Sequence, residues 1–101
     1  MARLDLLRAF VEKSPNDPFA RYGLAMEYKN LSRFEDAAAT FRTLLSLHPD
    51  YTAAYLHAGN TLVALGQREE ARAIYQAGIA ACTKKGDLHA RNELEAALMS
   101  L

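Results

Sequence analysis

The sequence of 101 residues has few of the sequence features that several classes of protein require. It contains one cysteine, Cys82, and no tryptophan, and twelve basic side chains balance twelve acidic ones. A single cysteine has no partner for a disulfide within the chain, so we expect a reducing compartment. The balanced charge provides no field that would attract nucleic acid or an anionic membrane surface.

Long apolar runs are also lacking. The N-terminal stretch is interrupted by Asp5 and Arg8, and its apolar residues form no run as long as that of a signal peptide. No segment approaches the roughly eighteen consecutive apolar residues of a membrane span. We therefore expect a cytoplasmic protein without contact to a membrane.

Patterns that indicate catalysis or metal binding are lacking as well. His48, His57 and His89 have no second ligand at helical spacing, and Cys82 has no paired cysteine. The sequence also has no glycine-rich phosphate loop and no Gly-x-Ser-x-Gly motif. We predict that the protein is not an enzyme and that it has no catalytic residues, metal site or cofactor.

What the sequence does contain is an internal repeat with a period of thirty-four residues. This shift superimposes similar residues: Leu31 on Leu65, Glu35 on Glu69, Ala37 on Ala71, Phe41 on Tyr75 and Leu45 on Ile79. Periods of about 20–50 residues are typical of repeat arrays. Within each copy, apolar residues recur at helical spacing on both sides of a turn, which predicts an antiparallel pair of helices.

The turn residues separate six predicted helices, and together these helices form one domain. A helix within residues 2–15 matches the second helix of the repeat, so this half-repeat lacks its first helix. The two full repeats cover residues 18–49 and 52–83. A last helix, within residues 87–101, is predicted to cap the array by covering its exposed apolar face.

Individual residues predict where the helices begin and end. Asp17 and Asp87 are suitable N-caps, and the run from Ser32 to Glu35 matches a capping box at the start of the third helix. Gly66 is predicted to end the fourth helix. The fifth helix is predicted to end near Cys82, before a turn that replaces the proline found in the first copy.

These hairpins resemble the tetratricopeptide repeat, whose pattern over 34 residues is Trp-x2-Leu-Gly-x2-Tyr, then Ala-x3-Phe, then Pro. The matching residues are Leu24, Ala25, Tyr28, Ala37, Phe41 and Pro49 in the first copy, then Tyr55, Ala58, Gly59, Leu62, Ala71 and Tyr75 in the second. The copies depart from the pattern at Arg21, Ala25 and Thr83. The resemblance implies an all-α fold, a short right-handed α-solenoid of about six helices, that binds other proteins.

The resemblance further implies that one face of the first helix of each hairpin lines a concave groove. The residues at these positions are Phe19, Tyr22, Met26, Lys29, Asn30, Leu56, Asn60 and Val63. They are mostly apolar, which would suit an apolar or amphipathic peptide or helix of another protein. The alternative is that the terminal helices of the chain, or a second copy of it, cover the same face.

Two functions known in similar repeats fit the sequence poorly. Some tetratricopeptide domains hold the C-terminal carboxylate of chaperones with Lys and Asn, but the matching positions here are Tyr22, Met26 and His57. An RNA-binding helical repeat is disfavoured by the balanced charge. Two hypotheses remain: an adaptor or scaffold that binds another protein, and a structural homodimer or assembly subunit that uses the same groove.

Overall fold

The computed structural model describes residues 2–101, and they form six α-helices. The helices are α1 (Arg3–Lys13), α2 (Pro18–Asn30), α3 (Phe34–Leu47), α4 (Ala53–Ala64), α5 (Arg68–Lys85) and α6 (Leu88–Met99). Each helix packs against the next one in the chain, and α4 also contacts α2 and α6. The predicted all-α stack of six helices is therefore confirmed.

The core lies between the helices, and it is built from the residues that recur with the repeat. Large side chains fill the space between neighbouring helices: Leu24, Tyr28, Phe41 and Leu44 around the first hairpin, and Tyr55, Leu62, Tyr75 and Leu94 around the second. Small residues at 0% exposure, Ala25, Ala37 and Ala71, allow the helices to approach. Burying one large apolar side chain contributes about 1.5–3 kcal/mol to the free energy of folding, so these residues stabilise the stacking of the helices.

Two glycines mark the closest contacts between helices in the second half of the molecule. A Cβ atom at Gly59 would lie 2.2 Å from Cε1 of Tyr75, and one at Gly78 would lie 2.6 Å from Cβ of Tyr55. Real atoms do not approach so closely, so α4 and α5 occupy their positions only because both residues lack a side chain. Gly59 occupies a position of the repeat pattern, whereas Gly78 does not, so only the structure identifies the close approach at Gly78.

Helices α2, α4 and α5 end in the same way, with a residue in the left-handed conformation: Ser32 (φ 59°), Gly66 (φ 76°) and Gly86 (φ 80°). In all three, the N–H of the following residue donates to the carbonyl five positions back, at 2.8–2.9 Å. The capping box predicted at Ser32 is wrong, because this residue ends α2. Helix α3 begins at Phe34 after Arg33, which makes no side-chain cap bond.

The two aspartate caps predicted from the sequence are confirmed. The Asp17 carboxylate accepts a hydrogen bond from the Phe19 N–H at 2.9 Å, at the start of α2. The Asp87 carboxylate accepts one from the Ala90 N–H at 3.2 Å, at the start of α6. Such caps satisfy backbone donors that have no partner within the helix, and each contributes about 1 kcal/mol.

Helix α5 is longer than predicted. It continues past Cys82 through Lys85 and ends only at Gly86. The hydroxyl of Thr83 donates to the carbonyl of Ile79 at 2.8 Å, so this residue lies within the helix rather than in a turn. The reason is that no proline interrupts the backbone here, whereas Pro49 follows the end of α3.

An exposed ion pair joins the two hairpins. The Arg42 guanidinium on α3 donates to both carboxylate oxygens of Glu70 on α5, at 2.7 and 2.8 Å. The hydrogen bond to Arg42 lowers the pKa of the Glu70 carboxyl. Glu70 also lies in the first turn of α5, where a negative charge is favourable. Because both side chains are partly exposed, we attribute at most about 1 kcal/mol to this pair.

Candidate functional site

A groove of about 380 Å³ opens where α2 and α4, the first helices of the two hairpins, and the terminal helix α6 lie in a row. We call it the α2–α4–α6 groove. Its apolar surface comes from Tyr22, Ala53, Leu56, Ala90 and Leu94. The polar groups that complete it are Thr52, His57, Asp87, His89 and Glu93. A concave, mostly apolar surface with a few polar groups is the usual form of a binding site.

Tyr22 is the central aromatic residue of this groove, and three other rings hold it in place. Its ring centroid lies 5.4 Å from that of Tyr51, 6.2 Å from His57 and 6.5 Å from Phe41. Aromatic rings attract one another at these separations. Burial, together with Tyr51, raises the pKa of the Tyr22 hydroxyl, so the side chain stays neutral. Tyr22 therefore presents a fixed, uncharged surface to the groove.

Lys29 and His57 form a polar link between α2 and α4. The Lys29 ammonium donates to Nδ1 of His57 at 3.2 Å, which requires an imidazole whose proton is on Nε2. Burial lowers the pKa of His57, the charge of Lys29 lowers it further, and Glu93 acts in the opposite direction. Burial also lowers the pKa of Lys29. At neutral pH the groove therefore contains an uncharged imidazole beside an ammonium group.

We expect the pKa of His57 to lie below its ordinary value of 6.5 when measured by NMR titration of the imidazole carbons. Replacing Lys29 with methionine should raise this pKa, because the change removes both the neighbouring charge and the donor to Nδ1. Since the folded state disfavours the protonated ring, stability should decrease as the pH falls below about 6.5, the unfolded pKa, and should stop decreasing below the folded pKa.

The matched control for the titration is Lys84→Met, which removes an exposed lysine of α5 and should leave the pKa of His57 unchanged. Thermal unfolding at pH 7.5 and pH 5 provides the second measurement. A folded pKa at or above that of the urea-unfolded chain would contradict the placement of His57.

The structure brings together some of the residues predicted for the groove. Tyr22 and Leu56 line it, and Lys29 reaches it through His57. Met26 is partly buried and packs against the core. Asn60 is on α4, where its side-chain oxygen accepts a hydrogen bond from the Tyr75 hydroxyl at 2.6 Å.

Three further predicted residues lie outside the α2–α4–α6 groove. Asn30 is exposed at the end of α2, and Val63 is 41% exposed near the end of α4. Phe19 is 74% exposed and lines a different cavity, together with Phe10 and Leu7 of α1. Of the hydrophobic positions inferred for the groove, Tyr22 and Leu56 thus line it, Phe19 lines the other cavity, and Met26 and Val63 line neither.

The sequence also contained signals for groove residues that were not predicted. A shift of thirty-four residues takes Ala53 to Asp87 and Leu56 to Ala90, and both of these α6 residues line the groove. The sequence predicts α6 only as a cap, and this prediction does not place its inner face in the groove. No repeat signal indicates His57, since the equivalent residue in the first copy is Gly23.

The single cysteine, Cys82, is a core residue. Its side chain is buried, and burial raises the pKa of its thiol, so the sulfur remains protonated and packs in the core. Residues 2–101 contain no group of three or more His, Cys, Asp or Glu side chains placed to hold a metal ion. Across the same residues, no helix combines the length and apolar character needed to cross a membrane.

The fold and the groove together define a helical-repeat protein built from stacked hairpins. The family model of the tetratricopeptide repeat matches residues 31–98. A tetratricopeptide repeat domain protein from Salinibacter ruber, solved in solution, is 32% identical, with a TM-score of 0.80 over 86% of this chain and 88% of that one. The chain belongs to the tetratricopeptide repeat family.

Other solved structures share the same arrangement of helices. A protein from Bordetella parapertussis is 28% identical and has a TM-score of 0.83 over 99% of this chain and 87% of that one. The type III secretion translocator chaperone SycD of Yersinia enterocolitica is 15% identical, with a TM-score of 0.77 over 92% and 74% of the two chains. The similarity to SycD shows the fold alone. No curated protein sequence matches the chain.

Proposed function

We propose that this protein is a cytoplasmic adaptor or scaffold that binds a peptide or amphipathic helix of another protein in the α2–α4–α6 groove. The observation that supports this most is the composition of the groove, where Tyr22, Leu56 and Ala90 form an apolar surface beside the polar His57 and Glu93. Apolar surface supplies affinity, and a few polar groups supply orientation. Family membership supports the same class of function, since tetratricopeptide repeats are protein-interaction modules.

The size and rigidity of the groove suit a short segment rather than a whole domain. Its volume of about 380 Å³ lies near the lower end of the range for ligand pockets, roughly 300–1,000 Å³. The rings around Tyr22 hold that side chain before any ligand arrives, which reduces the conformational entropy lost on binding. A few apolar side chains of a helix or extended peptide would fill the space.

Within this proposal the predicted residues have different roles. Tyr22 and Leu56 contact the ligand directly, and Lys29 adds to the effect of burial in lowering the pKa of His57. The residues that lie beyond the cavity on the same two helices would extend the contact with a longer ligand: Met26, Asn30, Asn60 and Val63.

The decisive variant is Ala53→Arg, because Ala53 is exposed and lines the groove. The long cationic side chain would fill the space beside Asp87 and Glu93 and exclude a ligand. We expect binding of a purified partner segment to weaken by roughly tenfold or more, which corresponds to about 1.4 kcal/mol. Partner candidates would come from affinity capture in native cells with wild type and variant compared, and affinity would then be measured by calorimetry.

The matched control is Ala39→Arg, the same substitution at an exposed position of α3 that does not line the groove. Both variants should keep the helical circular dichroism of the wild type. Equal affinity of the two variants for the partner segment would show that the α2–α4–α6 groove is not the binding site.

The competing hypothesis, a homodimer or assembly subunit that uses this same groove, makes a different prediction for the same variant. In that case Ala53→Arg would lower the mass of the protein in solution even without a partner. An unchanged solution mass together with lost partner binding would support the adaptor.

A further inference from the structure

A second cavity, of about 370 Å³, lies at the α1 end of the stack, between α1 and α2. We call this surface the α1–α2 edge. Its lining is mainly apolar and includes Leu7, Phe10 and Phe19, with one charged residue of each sign, Arg3 and Asp17. It shares no residue with the α2–α4–α6 groove.

Three large hydrophobic side chains are exposed at this edge. Phe19 is 74% exposed, Phe10 is 57% exposed, and Leu6, one turn before Phe10, is 46% exposed. Single exposed apolar residues are ordinary, but neighbouring ones that flank a cavity indicate an interaction site. The edge therefore presents apolar surface that the described chain does not cover.

The internal repeat shows how the same surface is covered one unit further along. Helix α3 is the equivalent of α1, and it has α2 and α4 as neighbours, whereas α1 contacts α2 alone among the described helices. Phe10 corresponds to Leu44, which is 0% exposed, and Leu7 corresponds to Phe41, which is 1% exposed. The α1–α2 edge thus corresponds to a surface that a neighbouring helix covers in the next repeat, and no described helix covers it here.

The charges at the α1–α2 edge are arranged so that a second copy of the chain would complement the first. Arg3 lies at the start of α1, and Asp17 lies beyond its end, so the cavity has opposite charges at its two ends. A twofold axis that places two α1 helices antiparallel would bring each Arg3 near the Asp17 of the other copy. The Arg3 side chain is 72% exposed even though it pairs with Glu27 at 3.4 Å, so it remains accessible.

We propose that the α1–α2 edge is a homodimer interface, in which a second copy of this chain packs its α1 antiparallel to α1 and covers Leu6, Phe10 and Phe19. A contact of this kind uses the same patch on both copies, so it closes as a dimer and does not continue into a filament. The net charge of zero means that no overall repulsion opposes the association. This interface leaves the α2–α4–α6 groove available for a partner.

The test is the mass of the full chain in solution, measured by light scattering and sedimentation from low micromolar to near-millimolar concentration. The wild type should change from monomer to dimer, and Phe10→Glu should remain a monomer with unchanged helical circular dichroism. The matched control is Met99→Glu, which introduces the same charge at a methionine that is 88% exposed on α6. This control should dimerise like the wild type.

A second measurement tests the antiparallel arrangement. Arg3→Asp should raise the dimer Kd by roughly tenfold at low salt, and combining it with Asp17→Arg should recover most of that loss. Because Asp17 also caps α2, circular dichroism is recorded for each variant.

Three results would overturn the proposal. The first is a wild type that stays monomeric at every concentration, and the second is a Phe10→Glu variant that dimerises as well as Met99→Glu. The third is a dimer that Ala53→Arg dissociates, since that would place the interface in the α2–α4–α6 groove. An Ala53→Arg variant that loses partner binding but still dimerises would support an interface outside the α2–α4–α6 groove.

Discussion

Phe41→Ala is expected to lower the free energy of unfolding by about 3–5 kcal/mol. Phe41 is 1% exposed and is among the largest fully buried side chains of the described chain. Its truncation would remove the apolar contacts on α3 and leave a cavity beside Tyr22, whose ring centroid lies 6.5 Å away. A domain of this size has a total stability of about 5–15 kcal/mol, so the variant should be largely unfolded at moderate urea concentrations.

The matched control for this prediction is Phe19→Ala, the same substitution at a side chain that is 74% exposed. It should change the stability by no more than about 0.5 kcal/mol, because an exposed ring loses little on truncation. Both variants should be studied at low micromolar concentration, where association contributes least. Equal losses of stability in the two variants would contradict the positions of these rings.

Gly78→Ala is expected to destabilise the protein by about 1–3 kcal/mol, although alanine normally favours a helix. The added Cβ would lie 2.6 Å from Cβ of Tyr55 and 2.8 Å from Cδ1 of Leu94. The Tyr55 Cβ is attached directly to the backbone of α4, so the clash is relieved only if the helices separate. The resulting loss of contacts should extend to α6, where Leu94 is 1% exposed.

The control for the glycine prediction is Gly23→Ala in α2. Here the new Cβ would lie 3.4 Å from Cδ2 of Leu7, which is an ordinary contact. This variant should be neutral or more stable by up to about 1 kcal/mol, because alanine is the better helix former. Urea unfolding of both variants measures the difference, and a stabilised Gly78→Ala variant would show that α5 does not pack as closely as described.

The local features of this protein follow from its sequence for a physical reason. Helical spacing of apolar residues, the aspartate caps at Asp17 and Asp87, and the stop at Gly66 all depend on residues within a few positions of one another. The repeat period then extends this local information to the stacking of like hairpins. Two local predictions were wrong. At Ser32 a serine occupies the place that a glycine takes in the second copy. The end of α5 lies at Gly86 rather than near Cys82.

The candidate site was only partly predictable, because a groove is formed by helices that are distant in the sequence. Tyr22 and Leu56 follow from the face of the helix that each occupies, but the hydrogen bond from Lys29 to His57 requires α2 and α4 to lie side by side. The third wall depends on α6 packing against α4. The location of Phe19 could not be predicted for the same reason, because its place at the α1–α2 edge depends on the position of Phe10 in α1.

The sequence by itself determined that this protein is a stack of helical hairpins, because periodicity and capping are local properties. The tertiary structure alone decided which side chains share a cavity. It placed Tyr22 and Leu56 in the α2–α4–α6 groove and Phe19 at the α1–α2 edge. The physical reason is that packing between hairpins sets the neighbours of each helix. Among the described helices, only α1 contacts a single other helix, α2.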